Sequence, residues 1–308
     1  MHGRACGRAR SAHVTQGVAV SDKSGSPSID DQMAETWLDT LALSAAFDRG
    51  WVEAVVEWLL TEPPADVVVD AGCGAGGAAH AFAARLPAET RVLGIDRDPR
   101  LLSIAEHRSR DLGLDGRVDW VAGRVDALPL PDGAADLVWA SGVVHHLADQ
   151  QAGVAELARL CRPGGRLVLI EGGLPLRCLP FEIGIGRPGL EARLEEARTR
   201  WFVDMRAELP GVAMPYGWLE AIRRAGLADT RSRSFLAEAA PPLDDVGRAV
   251  VTRHLTSALN HVGDRLDPDD REVIARMLDS DDPAYVGDRH DLMATAVRTV
   301  HVGAIPPP

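Results

Sequence analysis

The chain has 308 residues, 46% of them hydrophobic and 25% charged, which is enough for a full core and close to ordinary usage in globular proteins. A net charge of −12 argues against a phosphate backbone as partner, so no nucleic acid is expected. No apolar run approaches the roughly 18 residues of a membrane span, and no membrane association is expected.

Residues 1–28 hold Arg, Gly, Ser and Ala without the apolar segment of a secretory signal, and read as a disordered extension. Cys6, Cys73, Cys161 and Cys178 show neither CxxC spacing nor disulfide density. Reduced thiols, a cytoplasmic location and no metal site are the expectations. From Ile29 to Leu60 the residues Met33, Trp37, Leu41, Phe47, Trp51, Val55 and Leu59 recur at mostly three- and four-residue steps. That spacing predicts one or two amphipathic helices, with a break at Gly50, forming a helical cap over residues 29–62.

Val67-Val68-Val69 then reads as a buried strand that ends at Asp70 and turns through Gly72, Gly74 and Gly76 into a small-residue helix over Gly77–Leu86. A second strand, Arg91–Ile95, also ends in an acid, Asp96, and leads into a helix to about Leu112. Strands over Arg117–Ala122, Asp136–Ser141 and Arg166–Glu171 follow, with a helix at Gln150–Cys161. Alternating strands and helices with short links predict a doubly wound, mostly parallel α/β sheet, whose ligands lie at the carboxyl ends of the strands.

The alternation stops after Gly172. Helical patterns occupy Leu190–Arg206, Pro215–Ala225, Asp244–Val262 and Pro268–Leu278, while Asp229–Leu236 and Leu292–Val302 read as two late strands of a hairpin opened by helices. Helical insertions are expected at about 174–215 and 243–290 of a domain spanning 63–308.

The glycine turn allows close approach of a polar cofactor to backbone N–H groups at a helix N-terminus. Gly72, Gly74 and Gly77 also fit the dinucleotide pattern G-x-G-x-x-G, with Asp96 22 residues after Gly74, so the glycines by themselves leave a nicotinamide-dependent oxidoreductase open. Asp70 inside the first turn would repel a pyrophosphate, and the Asp126 loop has no place in that pattern.

Four motifs in order resemble those of the class I S-adenosylmethionine-dependent methyltransferases. They are Asp70-Ala71-Gly72-Cys73-Gly74-Ala75-Gly76, Gly94-Ile95-Asp96, Gly123-Arg124-Val125-Asp126-Ala127-Leu128-Pro129, and Leu160-Cys161-Arg162-Pro163-Gly164-Gly165. The resemblance covers about Asp66 to Gly173 and implies a Rossmann-like seven-stranded sheet, mostly parallel with a C-terminal antiparallel strand, plus helical lid insertions. It implies S-adenosyl-L-methionine as cofactor. Asp96 would take the ribose hydroxyls, Asp126 the adenine amino group and Val125 the ring through its backbone. Ala71, Gly72, Cys73, Gly74 and Gly76 would bring the main chain close, Asp70 would orient the ammonium, and Arg97 and Ser141 complete the cofactor set.

Cys73 reads as a small filler rather than a nucleophile, and Trp139 as core. His146 and His145, directly after the fourth strand, stand where a base could take a proton from the acceptor, His146 ahead of His145; the pair could equally shape the cofactor pocket. Trp37, Trp201, Phe202, Met205, Met214, Tyr216 and Trp218 give the added segments an apolar character. This favours a small, largely apolar methyl acceptor as partner, with a bacterial secondary metabolite as one such class and a homodimer as an admissible state. The alternative is a protein that binds S-adenosylmethionine without transferring its methyl group.

Overall fold

The computed structural model describes residues 43–60, 65–208 and 211–308. The N-terminal extension and the cap residues Met33, Trp37 and Leu41 therefore lie outside the described residues. Among the described residues no helix is long and apolar enough to cross a membrane.

A helix α1 (Arg49–Leu59) precedes strand β1 (Val67–Ala71), helix α2 (Gly77–Arg85), β2 (Arg91–Asp96), α3 (Pro99–Asp111), β3 (Val118–Ala122) and β4 (Ala135–Ser141). Then come α4 (Gln150–Leu160), β5 (Cys161–Arg177), α5 (Leu190–Glu208), α6 (Trp218–Arg224), β6 (Ala228–Ala239), α7 (Asp245–Val262), α8 (Pro268–Leu278) and β7 (Ala294–Ala304). The seven strands form one sheet in the order β3-β2-β1-β4-β5-β7-β6. Strands β1 to β5 pair in parallel, and β7 runs antiparallel to both β5 and β6. The order reverses between β1 and β4, which opens a crevice at their carboxyl ends, where β1 stops at Ala71 and β4 at Ser141.

Each face of the sheet has its own core. On one side Val55, Val56 and Leu59 of α1 and Phe82 of α2 pack against Val68, Trp139 and Val300. Trp139 stacks on Trp51 at 6.3 Å and meets Phe82 edge-on at 5.6 Å. Each such pair adds roughly 0.5–1.5 kcal/mol beyond burial. On the other side Leu157 of α4 and Ile222 of α6 cover Val69, Val138 and Leu169. A third core, built from Leu194, Val251, Leu255, Ile274 and Leu292, joins the added helices to the start of β7 at Ala294.

Three boundaries differ from the sequence reading. The early helical break falls at Asp48 rather than Gly50, which is the second residue of α1. Strand β5 continues past Glu171 to Arg177, because β7 offers it a partner over that length: after a bulge the pairing resumes at Gly173↔Arg298 and Leu174↔Val297. The Arg162-Pro163-Gly164-Gly165 segment is taken into the start of the same strand. The two late strands are neighbours despite the helices between them, from Phe235↔Arg298 to Ala239↔Ala294.

Candidate active site

The turn after β1 is shaped by backbone that only glycine adopts cheaply. Gly72, Gly74 and Gly76 have φ of 74°, 52° and 81°. A Cβ on Gly72 would sit 2.5 Å from Val143 Cγ2, whereas one on Gly74 would enter open space. The loop is tied to β2, since Gly72 and Cys73 donate their N–H groups to the Ile95 carbonyl at 2.7 and 3.0 Å. Cys73 is buried, as a filler residue should be.

Asp70 is 2% exposed, and its Oδ2 accepts from Ala79 N in the first turn of α2 at 3.0 Å. Among the described residues no basic side chain pairs with it. Burial pushes its carboxyl up to about 7, the Ala79 N–H opposes that shift, and the negative charge of Asp96 adds to it. Asp70, Gly72, Cys73, Gly74 and Ser141 line a cavity of about 320 Å³ that runs on between α1 and α2. A buried carboxylate without a cation, facing a cavity, is a site for a positively charged ligand group.

Asp96 lies at the end of β2 beside this turn and is held by main chain. Its Oδ2 accepts from Gly74 N at 2.9 Å and its Oδ1 from Asp98 N at 2.9 Å, which leaves each oxygen a further lone pair. Asp126 is different. Arg124 grips it through both oxygens at 2.9 and 2.6 Å, and this guanidinium holds its carboxyl below the usual carboxylate range. Val125 between them is buried, and Arg97 is exposed. Neither Asp96 nor Asp126 lines the cavity that holds Asp70.

After β4 the chain makes a short 3-10 turn over Val144–His146. His145 Nδ1 lies 2.8 Å from Glu171 Oε2, and Glu171 Oε1 accepts from Val143 N at 3.0 Å and Val144 N at 2.7 Å. Glu171 is 4% exposed. A buried carboxylate beside Nδ1 fixes the proton on that nitrogen and leaves Nε2 with its lone pair, the arrangement of an oriented base. His146 lies against His145 with ring centres 4.0 Å apart and the rings tilted by 41°, but no carboxylate hydrogen-bonds to it among the described residues, and burial, followed by the neighbouring imidazole, lowers its pKa. Arg206 of α5 donates to the carbonyls of His145 and Leu147 at 3.2 and 3.1 Å, which ties the added helices to this turn.

The structure thus brings Asp70, Gly72, Cys73, Gly74 and Ser141 to one cavity, while Ala71, Gly76, Asp126 and the histidines stand apart from its lining. Glu171 is the group that the sequence reading passed over. Its signal was available, because the run Arg166–Ile170 leads into this acid as Val67–Val69 leads into Asp70 and Arg91–Ile95 into Asp96, although β5 itself continues to Arg177. Trp201 packs in the added core, while Met214, Tyr216 and Trp218 lie against the α4–α6 face of the sheet; Phe202 is 40% exposed.

Residues 69–169 match a family model described as a methyltransferase domain. The chain is 31% identical over 129 residues to the 2-phytyl-1,4-naphtoquinone methyltransferase of Synechococcus elongatus, covering 42% of this chain and 55% of that one. It is 30% identical over 129 residues to the ubiquinone/menaquinone biosynthesis C-methyltransferase UbiE of Dinoroseobacter shibae, covering 42% and 51%. It is 34% identical over 103 residues to a probable chloroplastic tocopherol O-methyltransferase of Oryza sativa subsp. japonica, covering 33% and 28%. The chain spans about half the length of the first two of these relatives and less of the third.

Proposed function

We propose that this chain, a member of the class I S-adenosylmethionine-dependent methyltransferases by its residues 69–169, transfers a methyl group to a small, largely apolar acceptor. The observation that carries the reading is Asp70, a buried acid without a cation at a glycine turn. Such a group suits the ammonium of S-adenosylmethionine and opposes the pyrophosphate of a dinucleotide. The fit extends to the rest of the set. Asp96 keeps lone pairs for two ribose hydroxyls, and the open space at Gly74 admits a ligand close to the main chain. Ala71, Gly72, Cys73 and Gly76 shape that approach, and Ser141 faces the same cavity from β4. Val125 and Asp126 would meet the adenine, Asp126 sharing its oxygens with Arg124, and Arg97 would stand beside them.

When bound, the cofactor supplies an electrophilic methyl on a sulfonium, open to in-line displacement. The chain then has to align the acceptor, keep water out and hold its proton. We assign the proton to His145 Nε2 in preference to His146, because Glu171 orients His145 and the backbone N–H groups of Val143 and Val144 hold Glu171 in turn. The charge on Glu171 also stabilises the imidazolium that forms. His146, with its lowered pKa, stays neutral near pH 7 and packs against the working ring. The relatives are named for quinones and a tocopherol, which supports an apolar ring acceptor here.

The test is to incubate the protein with S-adenosylmethionine and a panel of phenols, quinols and other apolar ring compounds, and to measure S-adenosylhomocysteine. Product formation that falls on His145→Ala more than on His146→Ala supports the reading. Tight cofactor binding with no product across the panel would replace it with a binder that transfers nothing.

A further inference from the structure

Away from the crevice, three side chains from distant parts of the sequence meet inside the added helical region. Cys178 follows β5, Glu191 lies in the first turn of α5, and His254 lies in the middle of α7. The thiol, one carboxylate oxygen and one imidazole nitrogen all lie within 4.8 Å of one another. Cys178 and Glu191 are 3% and 8% exposed, and the His254 side chain 8%.

The cluster is already oriented. Glu191 Oε2 accepts from the backbone N–H groups of Cys178 and Leu179 at 3.0 and 2.6 Å, which turns Oε1 toward His254 Nε2 at 3.2 Å. That nitrogen also lies 2.9 Å from Arg198 Nη1. The two contacts conflict. A guanidinium N–H can only donate and a carboxylate oxygen can only accept, so Nε2 satisfies one of them with its proton and the other without it. Three electron-pair donors converge where the protein sets its own cation, Arg198, against one of them. A metal ion at the centre would satisfy all three at once.

We propose that Cys178, Glu191 and His254 form a binding site for a divalent metal of the zinc class, which Arg198 guards in the metal-free protein. A thiolate, an imidazole and a carboxylate form a donor set suited to zinc, and three protein ligands leave a fourth position for water. Tetrahedral bonds of about 2.0–2.3 Å space neighbouring ligand atoms roughly 3.3–3.8 Å apart, so the present cluster closes by small rotations. The Glu191–His254 distance is already near that spacing. Arg198 has somewhere to go, since it borders a cavity of about 450 Å³ that Glu195 also lines. Binding releases the thiol proton to solvent and breaks no covalent bond. The ion would join the start of α5 to the middle of α7 and to the segment after β5, and α5 carries Arg206 to the His145 turn.

This inference is independent of methyl transfer, and its readout is metal binding by the full chain. After treatment with a chelator, the protein is titrated with Co2+, and the thiolate-to-cobalt charge-transfer band in the near ultraviolet is recorded. Expected are a saturating band at one equivalent, its loss on adding Zn2+, and a rise in melting temperature with Zn2+ that a chelator reverses. Cys178→Ser and His254→Gln abolish the band, whereas Cys161→Ser, which alters a buried thiol outside the cluster, keeps it. Arg198→Met removes the competing charge and tightens binding by about tenfold or more. Absence of the band in both the wild type and Arg198→Met, or its survival in Cys178→Ser, overturns the proposal. Should Cys178→Ser fail to fold, the wild-type and Arg198→Met titrations still decide.

Discussion

Around the crevice, buried carboxylates are held by main chain: Asp70 by Ala79 N, Asp96 by Gly74 N and Asp98 N, and Glu171 by Val143 N and Val144 N. In the added helical region Asp270 is held by side chains, Arg187 and Arg193, while Glu191 combines the backbone N–H groups of Cys178 and Leu179 with His254. The contrast matters for function. A backbone N–H orients a carboxylate without cancelling its charge, so the group stays available to a ligand. An arginine neutralises the acid and uses it for structure, as the depressed carboxyl of Asp270 records. Among the described residues no arginine neutralises Asp70, Asp96 or Glu171, whereas in the added helical region Asp270 links Arg187 and Arg193 to α8.

The largest expected break in this comparison is Glu171→Leu. It strips the acceptor from two backbone N–H groups and from His145, and urea unfolding should show a loss of about 3–5 kcal/mol. Glu171→Gln keeps an acceptor and most of the stability, yet turnover should fall about a hundredfold because the imidazolium loses its anion. In the added helical region, Asp270→Asn should cost about 2 kcal/mol by weakening both arginine contacts, with the turnover number unchanged. A change of turnover there would mean the two regions are coupled more tightly than their contacts indicate.

Gly72→Ala comes next in size. Its Cβ would meet Val143 at 2.5 Å in a left-handed backbone, and a loss of about 1–3 kcal/mol with weaker cofactor binding is expected by calorimetry. Asp70→Asn should lower cofactor affinity roughly tenfold to a hundredfold while raising the melting temperature of the cofactor-free protein. The sign follows from the raised pKa. The folded chain holds the Asp70 proton up to about 7 and the unfolded chain releases it near 3.8, so this group's stability is present at low pH and lost as pH rises through that window. Cofactor affinity moves the other way, rising as the carboxyl ionises through pH 7. A flat affinity profile between pH 6 and 8 would remove Asp70 from the ammonium site.

An effect confined to acid pH concerns His80, buried beside α3 with Nε2 near Ser109 Oγ at 3.0 Å. Burial lowers its pKa to about 4, so the unfolded chain takes up a proton first and stability falls as pH drops from 6.5 toward 4. A His80→Gln protein should lose that part of the acid sensitivity.

The glycine turn, the strand-end acids and the order of strands and helices were legible in the sequence because each depends on residues a few positions apart. Periodicity reports which face of an element is buried, and Asp70, Asp96 and Ser141 stand at strand ends whatever the neighbouring strand does. Glu171 had the same signature, but its partner could not be read, since His145 reaches it only once β4 and β5 lie side by side. The hold of Arg124 on Asp126, though local in sequence, needed side-chain geometry to be seen. The meeting of Cys178, Glu191 and His254 needed α5 and α7 packed together. The sequence by itself therefore determined the sheet and the turn, because backbone conformation and burial pattern are local, and its four motifs carried the resemblance that implies the cofactor class. Which histidine has a carboxylate, and which thiol has an imidazole, were decided by tertiary structure alone, because those contacts join residues that only the packing of strands and helices brings within reach.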